Sequence, residues 1–243
     1  MRMTDGRTVN PGVRRPRGVT LLEVLIGLTV GLFVVAGGLA MLANFTGENR
    51  RLLLETRLAQ DLRAASDLIT RDIRRAGYWS ASTSSVWVSG GPTVPPQNAY
   101  RAFIPGSCDA SPLAAAVPSP AASASALCYY VEQDTNNAAD ASDRYGFKLQ
   151  SGVIYAMLAG GAAQPLTDPN TITISDFVMT PRSQALSAAG FCKSTCTVNC
   201  PRVVVREFEI LIKGNVPGNA AINRFIRSDV RVRNDYYDGQ CPT

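Results

Sequence analysis

The residues able to do chemistry are few. The chain has no histidine, which excludes Ser-His-Asp and Cys-His catalysis and every histidine-containing zinc site. Lys193 and Ser194 adjoin, but a cysteine-rich loop is a poor setting for a serine–lysine pair. Glu207 and Glu209 alternate with apolar residues, so they read as the wet side of a strand and not as a catalytic acid pair. The sequence holds no phosphate-cradling glycine loop, serine elbow, calcium loop or dinucleotide fingerprint. No enzyme activity and no cofactor are expected.

What remains reactive is six cysteines, Cys108, Cys128, Cys192, Cys196, Cys200 and Cys241. In an oxidising compartment an even set reads as up to three disulfides. The spacing of Cys192, Cys196 and Cys200, completed by Cys241, leaves a four-thiolate metal site as the competing reading, although zinc ligands usually come as close pairs. The expected pairing joins Cys108 to Cys128. The other four then pair among themselves, tying the loop at 191–201 and the C-terminus to a sheet.

One acid stands out by its surroundings. From Val19 to Ala43, Glu23 is the only charge, and a helix of about 25 residues rises roughly 36 Å, enough to cross a bilayer core of about 30 Å. Five arginines against Asp5 precede it, supplying four of the chain's five net positive charges. They hold that end in the cytoplasm, so the bulk of the chain lies outside. Beyond this leader the charge is nearly balanced, which removes the argument for a nucleic-acid surface.

A cleaved secretory signal, with Gly38, Leu39 and Ala40 as its site, has a shorter apolar core than this. A plain anchor fits the length but gives Glu23 no purpose, and an acid near a membrane centre costs about 2.5–3.5 kcal/mol. The alternative without function is that Glu23 snorkels to the headgroups.

The run Gly18, Val19, Thr20, Leu21, Leu22, Glu23 resembles the processing motif of type IV pilins and type II secretion pseudopilins. That resemblance implies cleavage after Gly18 by a prepilin peptidase, a mature chain that begins at Val19, and N-methylation there. The family most often carries phenylalanine where this chain has Val19. Cleavage would free an α-amino group, mostly cationic at neutral pH, and Glu23 would meet that group on a neighbouring subunit. A buried charge so paired sets register more than it adds stability. Gly27 and Gly31 stand at GxxxG spacing and would admit another helix, while Gly37 and Gly38 are expected to bend or locally melt this one.

Beyond the membrane, Leu54, Leu58, Leu62, Ala65, Ile69, Ile73 and Ala76 recur at intervals of three or four, predicting an amphipathic helix closed by Gly77. Arg57 with Asp61, Arg63 with Asp67, and Asp67 with Arg71 stand at i,i+4 on its wet side. The run DIRRAGYW, Asp72 to Trp79, resembles the close of the long helix in the PilW family of minor pilins. Residues 78–126 are rich in Ser, Ala, Pro and Gly and read as a variable loop with a few short strands.

Alternation then predicts strands at 127–131, 145–150, 153–158, 171–179, 203–213 and 222–234, with a hairpin turn at Ser151-Gly152. The closing VRVRN, Val230 to Asn234, also looks like the last strand of PilW-type pilins. One-sided alternation means an antiparallel sheet with one face covered by the helix.

The expected class is therefore α+β, pilin-like. Its divisions are a leader at 1–18, a membrane or filament helix at 19–43, a stalk helix at 44–77, the loop at 78–126 and a disulfide-bearing sheet head at 127–243. The resemblance implies a minor type IV pilin, anchored once in the inner membrane with a periplasmic head and later part of the pilus. Its implied partners are the prepilin peptidase, other minor pilins, the major pilin and the inner-membrane assembly machinery. A type II secretion pseudopilin shares these features. A membrane-anchored periplasmic binding module, never cut at Gly18, is the alternative from another class.

Overall fold

The computed structural model describes residues 18–85, 98–106, 122–136 and 138–242. The chain divides between Arg50 and Arg51 into two compact units. A single helix, α1 (Leu21–Ile73), runs through that boundary.

In the first unit every described residue is exposed. Thr20 caps α1: its Oγ1 accepts from the Glu23 backbone N–H at 3.3 Å, the first half of a Thr-x-x-Glu capping box. The hydroxyls of Thr29 and Thr46 donate back to the carbonyls of Ile26 and Ala43, each at 2.9 Å, so both are satisfied within the helix. The local melting expected at Gly37 and Gly38 does not occur, since α1 is unbroken there. Two glycines cost about 1 kcal/mol each in a helix, which the long flanking runs of helix absorb.

In the second unit α1 becomes one-sided. Leu58, Leu62, Ala65, Ser66, Ile69 and Ile73 are its buried residues, following the predicted stripe. The strands that follow are β1 (Phe103–Pro105), β2 (Ala126–Tyr130), β3 (Arg144–Gln150), β4 (Val153–Met157), β5 (Gln164–Pro165), β6 (Thr173–Pro181), β7 (Gln184–Ser187), β8 (Arg202–Val205), β9 (Glu207–Val216), β10 (Asn219–Arg231) and β11 (Tyr236–Asp238). One core unites the stripe with Phe147, Ile154, Phe177, Phe208, Ile210, Ile212 and Val230.

Among the described residues the strands form three antiparallel sheets, ordered β1-β2-β3-β4-β5, β10-β9-β6 and β11-β8-β7. The architecture is α+β, a long helix whose far half packs on antiparallel sheet. The β3–β4 hairpin pairs Gln150 with Val153, and both loop residues, Ser151 and Gly152, have positive φ, as a two-residue turn matched to strand twist requires. The strand expected at 203–213 is two: β8 and β9 lie in different sheets, parted at Arg206. Strand β1 comes from the segment read as variable loop and pairs with β2, Ile104 opposite Cys128.

Candidate functional site

The predicted processing residues gather at the start of α1. Gly18, Val19 and Glu23 are exposed, Val19 by 69%. A methyl group added to Gly27 or Gly31 would meet nothing within 4 Å, so that face is open to another helix. Of the apolar residues here, Leu21 is 82% exposed and Phe33 81%. This is the one helix among the described residues long and apolar enough to cross a membrane. Thr20 was missed as a cap, although its position three residues before Glu23 was a readable signal.

The run DIRRAGYW forms a latch between helix and sheet. Tyr129 on β2 donates its hydroxyl hydrogen to Asp72 at 2.6 Å, and Arg75 pairs with the other oxygen of that carboxylate at 3.0 Å. Burial, then the Asp72 charge, pushes the Tyr129 phenol well above its usual range. The Arg75 guanidinium lies 5.5 Å from the Tyr145 ring centroid. Ala76 and Trp79 are buried. Gly77 does not close the helix through a helical carbonyl, as expected of a C-cap; its N–H donates to Tyr130 O on β2 at 2.8 Å. Its φ is +70°, and a side chain there would come within 3.0 Å of Arg206 Nη2. The residues that resemble a family signature therefore dock the end of α1 on the sheet.

The three i,i+4 pairs expected on the helix do not close among the described residues; Arg51–Glu55 does, at 3.0 Å. Exposed pairs of long side chains gain little over solvent, so their absence costs little. Arg224 on β10 also pairs with Glu55, and Ser66 hydrogen-bonds Ser228, fastening the helix to β10.

Arg206, which shares strand parity with Val204 and Phe208, is fully buried. Its guanidinium lies 5.0 Å from the Phe103 ring and 5.3 Å from the Tyr236 ring. It donates to the carbonyl oxygens of Arg101 and Asn234. Burial lowers its pKa to about 10, with Tyr236 and Asp235 pulling the other way. It joins three segments distant in sequence, which no local pattern announces.

The cysteines fall into separate places. Cys128 is disulfide-bonded and fully buried on β2; Cys108, its expected partner, lies outside the described residues. Cys192 bonds Cys241 and Cys196 bonds Cys200. The first bridge binds the loop after β7 to the C-terminal segment after β11, and the second closes a tight turn within that loop. The Gln240 N–H, which donates to Asn199 O at 2.9 Å, adds to that junction.

No curated protein and no solved structure matches the chain. A family model described as prepilin peptidase-dependent protein B matches residues 51–232, which is most of the 243-residue chain and all of its sheet but the last short strand. The match begins past Gly18 and Glu23, so it is independent of the motif that first suggested a pilin. With a half-exposed, half-packed helix on antiparallel sheet as its fold, the chain belongs to the prepilin peptidase-dependent protein B family, a pilin-related group.

Proposed function

We propose that the chain is a minor type IV pilin of the PilW type and acts as a structural subunit, not as an enzyme. The observation that carries this reading is the division of α1. Its first half presents apolar side chains that are exposed among the described residues, and its second half is built into the head. Such a surface needs a low-dielectric environment, and a filament of like helices supplies one as well as a bilayer does.

In this reading the precursor sits in the inner membrane with its leader in the cytoplasm and its head in the periplasm. Prepilin peptidase cuts after Gly18, and Val19 becomes the methylated amino terminus. The helix then leaves lipid for the filament, where Glu23 pairs with the amino terminus of a neighbour. The Thr20 cap supports this geometry, because it holds Glu23 in the first helical turn beside the new terminus. The subunit works with other minor pilins and the major pilin at pilus initiation. A type II secretion pseudopilin would use the same steps.

The N-terminal mass of protein from membranes, with and without prepilin peptidase, tests the reading. A chain beginning at Val19 only when the peptidase is present is the expected result. An intact leader in both strains would leave an anchored binding module. Glu23→Ala is expected to abolish piliation while the protein accumulates normally, and normal piliation would count against the filament role.

A further inference from the structure

The last turn of α1 and the residue that follows Val232 line an open cleft of about 520 Å³, formed by Asp67, Thr70, Arg71, Arg74, Arg75 and Arg233. Four arginines therefore line one cleft. Arg75 is engaged by Asp72. Arg71, Arg74 and Arg233 are exposed, and among the described residues their side chains make no ion pair or hydrogen bond. The backbone bond from Arg233 N–H to Arg74 O, 3.1 Å, fixes two of the three beside each other. Cations at a helix C-terminus are favoured by the macrodipole, which explains one or two of them. It does not explain Arg233, brought from the far end of the chain.

Three unengaged planar forks match carboxylate or phosphate oxygens in bidentate fashion. The surroundings choose between short and long anions. Residues 131–143 contain Glu132, Asp134, Asp140 and Asp143 and no lysine or arginine, with Asp134 and Asp140 exposed. The loop is tied to the chain three residues past the cleft-lining Arg75, where the Glu132 N–H donates to Tyr78 O at 3.2 Å. A nucleic-acid strand long enough to profit from the arginines would pass the loop and be repelled. A short acidic segment would not.

We infer that the cleft docks a short carboxylate-bearing segment of a neighbouring subunit, held by Arg71, Arg74 and Arg233. The inference rests on the pilin reading for the identity of that neighbour. The test uses the full chain in detergent micelles, titrated with a hexaglutamate peptide and, separately, with a hexathymidylate strand of similar charge. The peptide is expected to bind more tightly. The double variant Arg71→Glu, Arg74→Glu is expected to lose about tenfold or more of that affinity, while Lys193→Glu in the cysteine loop leaves it unchanged.

Should the reversal disturb folding, seen as a lowered melting temperature, Arg71→Gln with Arg74→Gln takes its place and is expected to show a smaller loss in the same direction. Equal or tighter binding of the oligonucleotide, binding indifferent to the arginines, or no binding would overturn the proposal. In cells, a photocrosslinker in place of Arg74 is expected to capture an acidic stretch of a pilin-like subunit, and capture at a stretch without carboxylates would overturn it. The N-terminal mass separates the two ideas: a chain cut at Gly18 without peptide selectivity sinks the cleft alone, whereas an uncut chain sinks the pilin reading whatever the cleft binds.

Discussion

The two halves of α1 obey the same backbone rules and meet opposite fates. Val34 is 69% exposed, and Ile69, on the same helix, is fully buried. The first half is apolar on every side, so no rotation of the helix could bury it against a single head. The second half confines its apolar residues to one stripe and fills the others with charge, so one sheet face suffices. Periodicity thus separates a surface completed inside the chain from one that must be completed by lipid or other subunits. Single substitutions in the two halves should reflect this.

The largest effect is expected from Ile69→Asp. An unpaired carboxylate in the core costs about 5 kcal/mol or more, enough to unfold a domain of ordinary stability. Val34→Asp is expected to leave urea unfolding of the head unchanged while releasing the protein from membranes. Equal destabilisation by the two would erase the distinction between the halves.

The second unit also completes itself covalently, and the bridges should contribute in order of the loops they close. By chain entropy, the 49-residue separation of Cys192 and Cys241 corresponds to about 4 kcal/mol. The separation of 4 between Cys196 and Cys200 corresponds to about 2 kcal/mol. Replacing each pair with serine and comparing urea midpoints checks the order. A larger loss from the short bridge would show that the loop, not the C-terminus, is what the head needs fixed.

The helix stripe and the strand alternation were readable because both depend on neighbours within a few residues. Leu58, Leu62, Ile69 and Ile73 lie where their spacing placed them, and Phe208, Ile210 and Ile212 share a buried face. Arg206 was not readable. Alternation in VVVREFEILIK puts it on the same side as Val204 and Phe208, but its aromatic neighbours, Phe103 and Tyr236, come from distant segments, and without them neither an arginine on an apolar face nor the break between β8 and β9 has a local explanation. The arginine cleft was hidden for the same reason, since Arg71 and Arg74 look like a solvated helix face until Arg233 is set beside them.

Smaller effects should come from the latch that ends the packed half. Gly77→Ala places a Cβ at φ +70° and within 3.0 Å of Arg206 Nη2. The left-handed backbone costs an alanine about 1–2 kcal/mol, and the flexible arginine end gives way for less. A loss in that range, read from thermal melting, is expected for the head. The same change at Gly37, where a Cβ meets nothing within 4 Å, should leave the melt unaltered. Destabilisation at Gly37 would mean that the first half is not independent of the head.

The finest distinction is in alkaline pH. The Tyr129 phenol has a folded pKa well above its unfolded value of 10.0, chiefly through burial and then through Asp72. A group whose folded pKa is raised contributes stability that is complete below the unfolded pKa and is lost as pH climbs towards the folded one. The folded head holds that proton while the unfolded chain releases it, so stability falls above about pH 10. Arg206, lowered to about 10 from 12.5, acts in the opposite sense over the same range, because there the unfolded chain holds the proton. Tyr129→Phe removes only the first contribution. Near neutral pH it is expected to cost about 1–2 kcal/mol for the lost hydrogen bond to a carboxylate. Between pH 10 and 12 it is expected to lose less stability than the parent chain. Urea titrations at pH 8, 10 and 11 give both numbers, and parallel decline of the two proteins would show that this phenol is not what makes the latch sensitive to base.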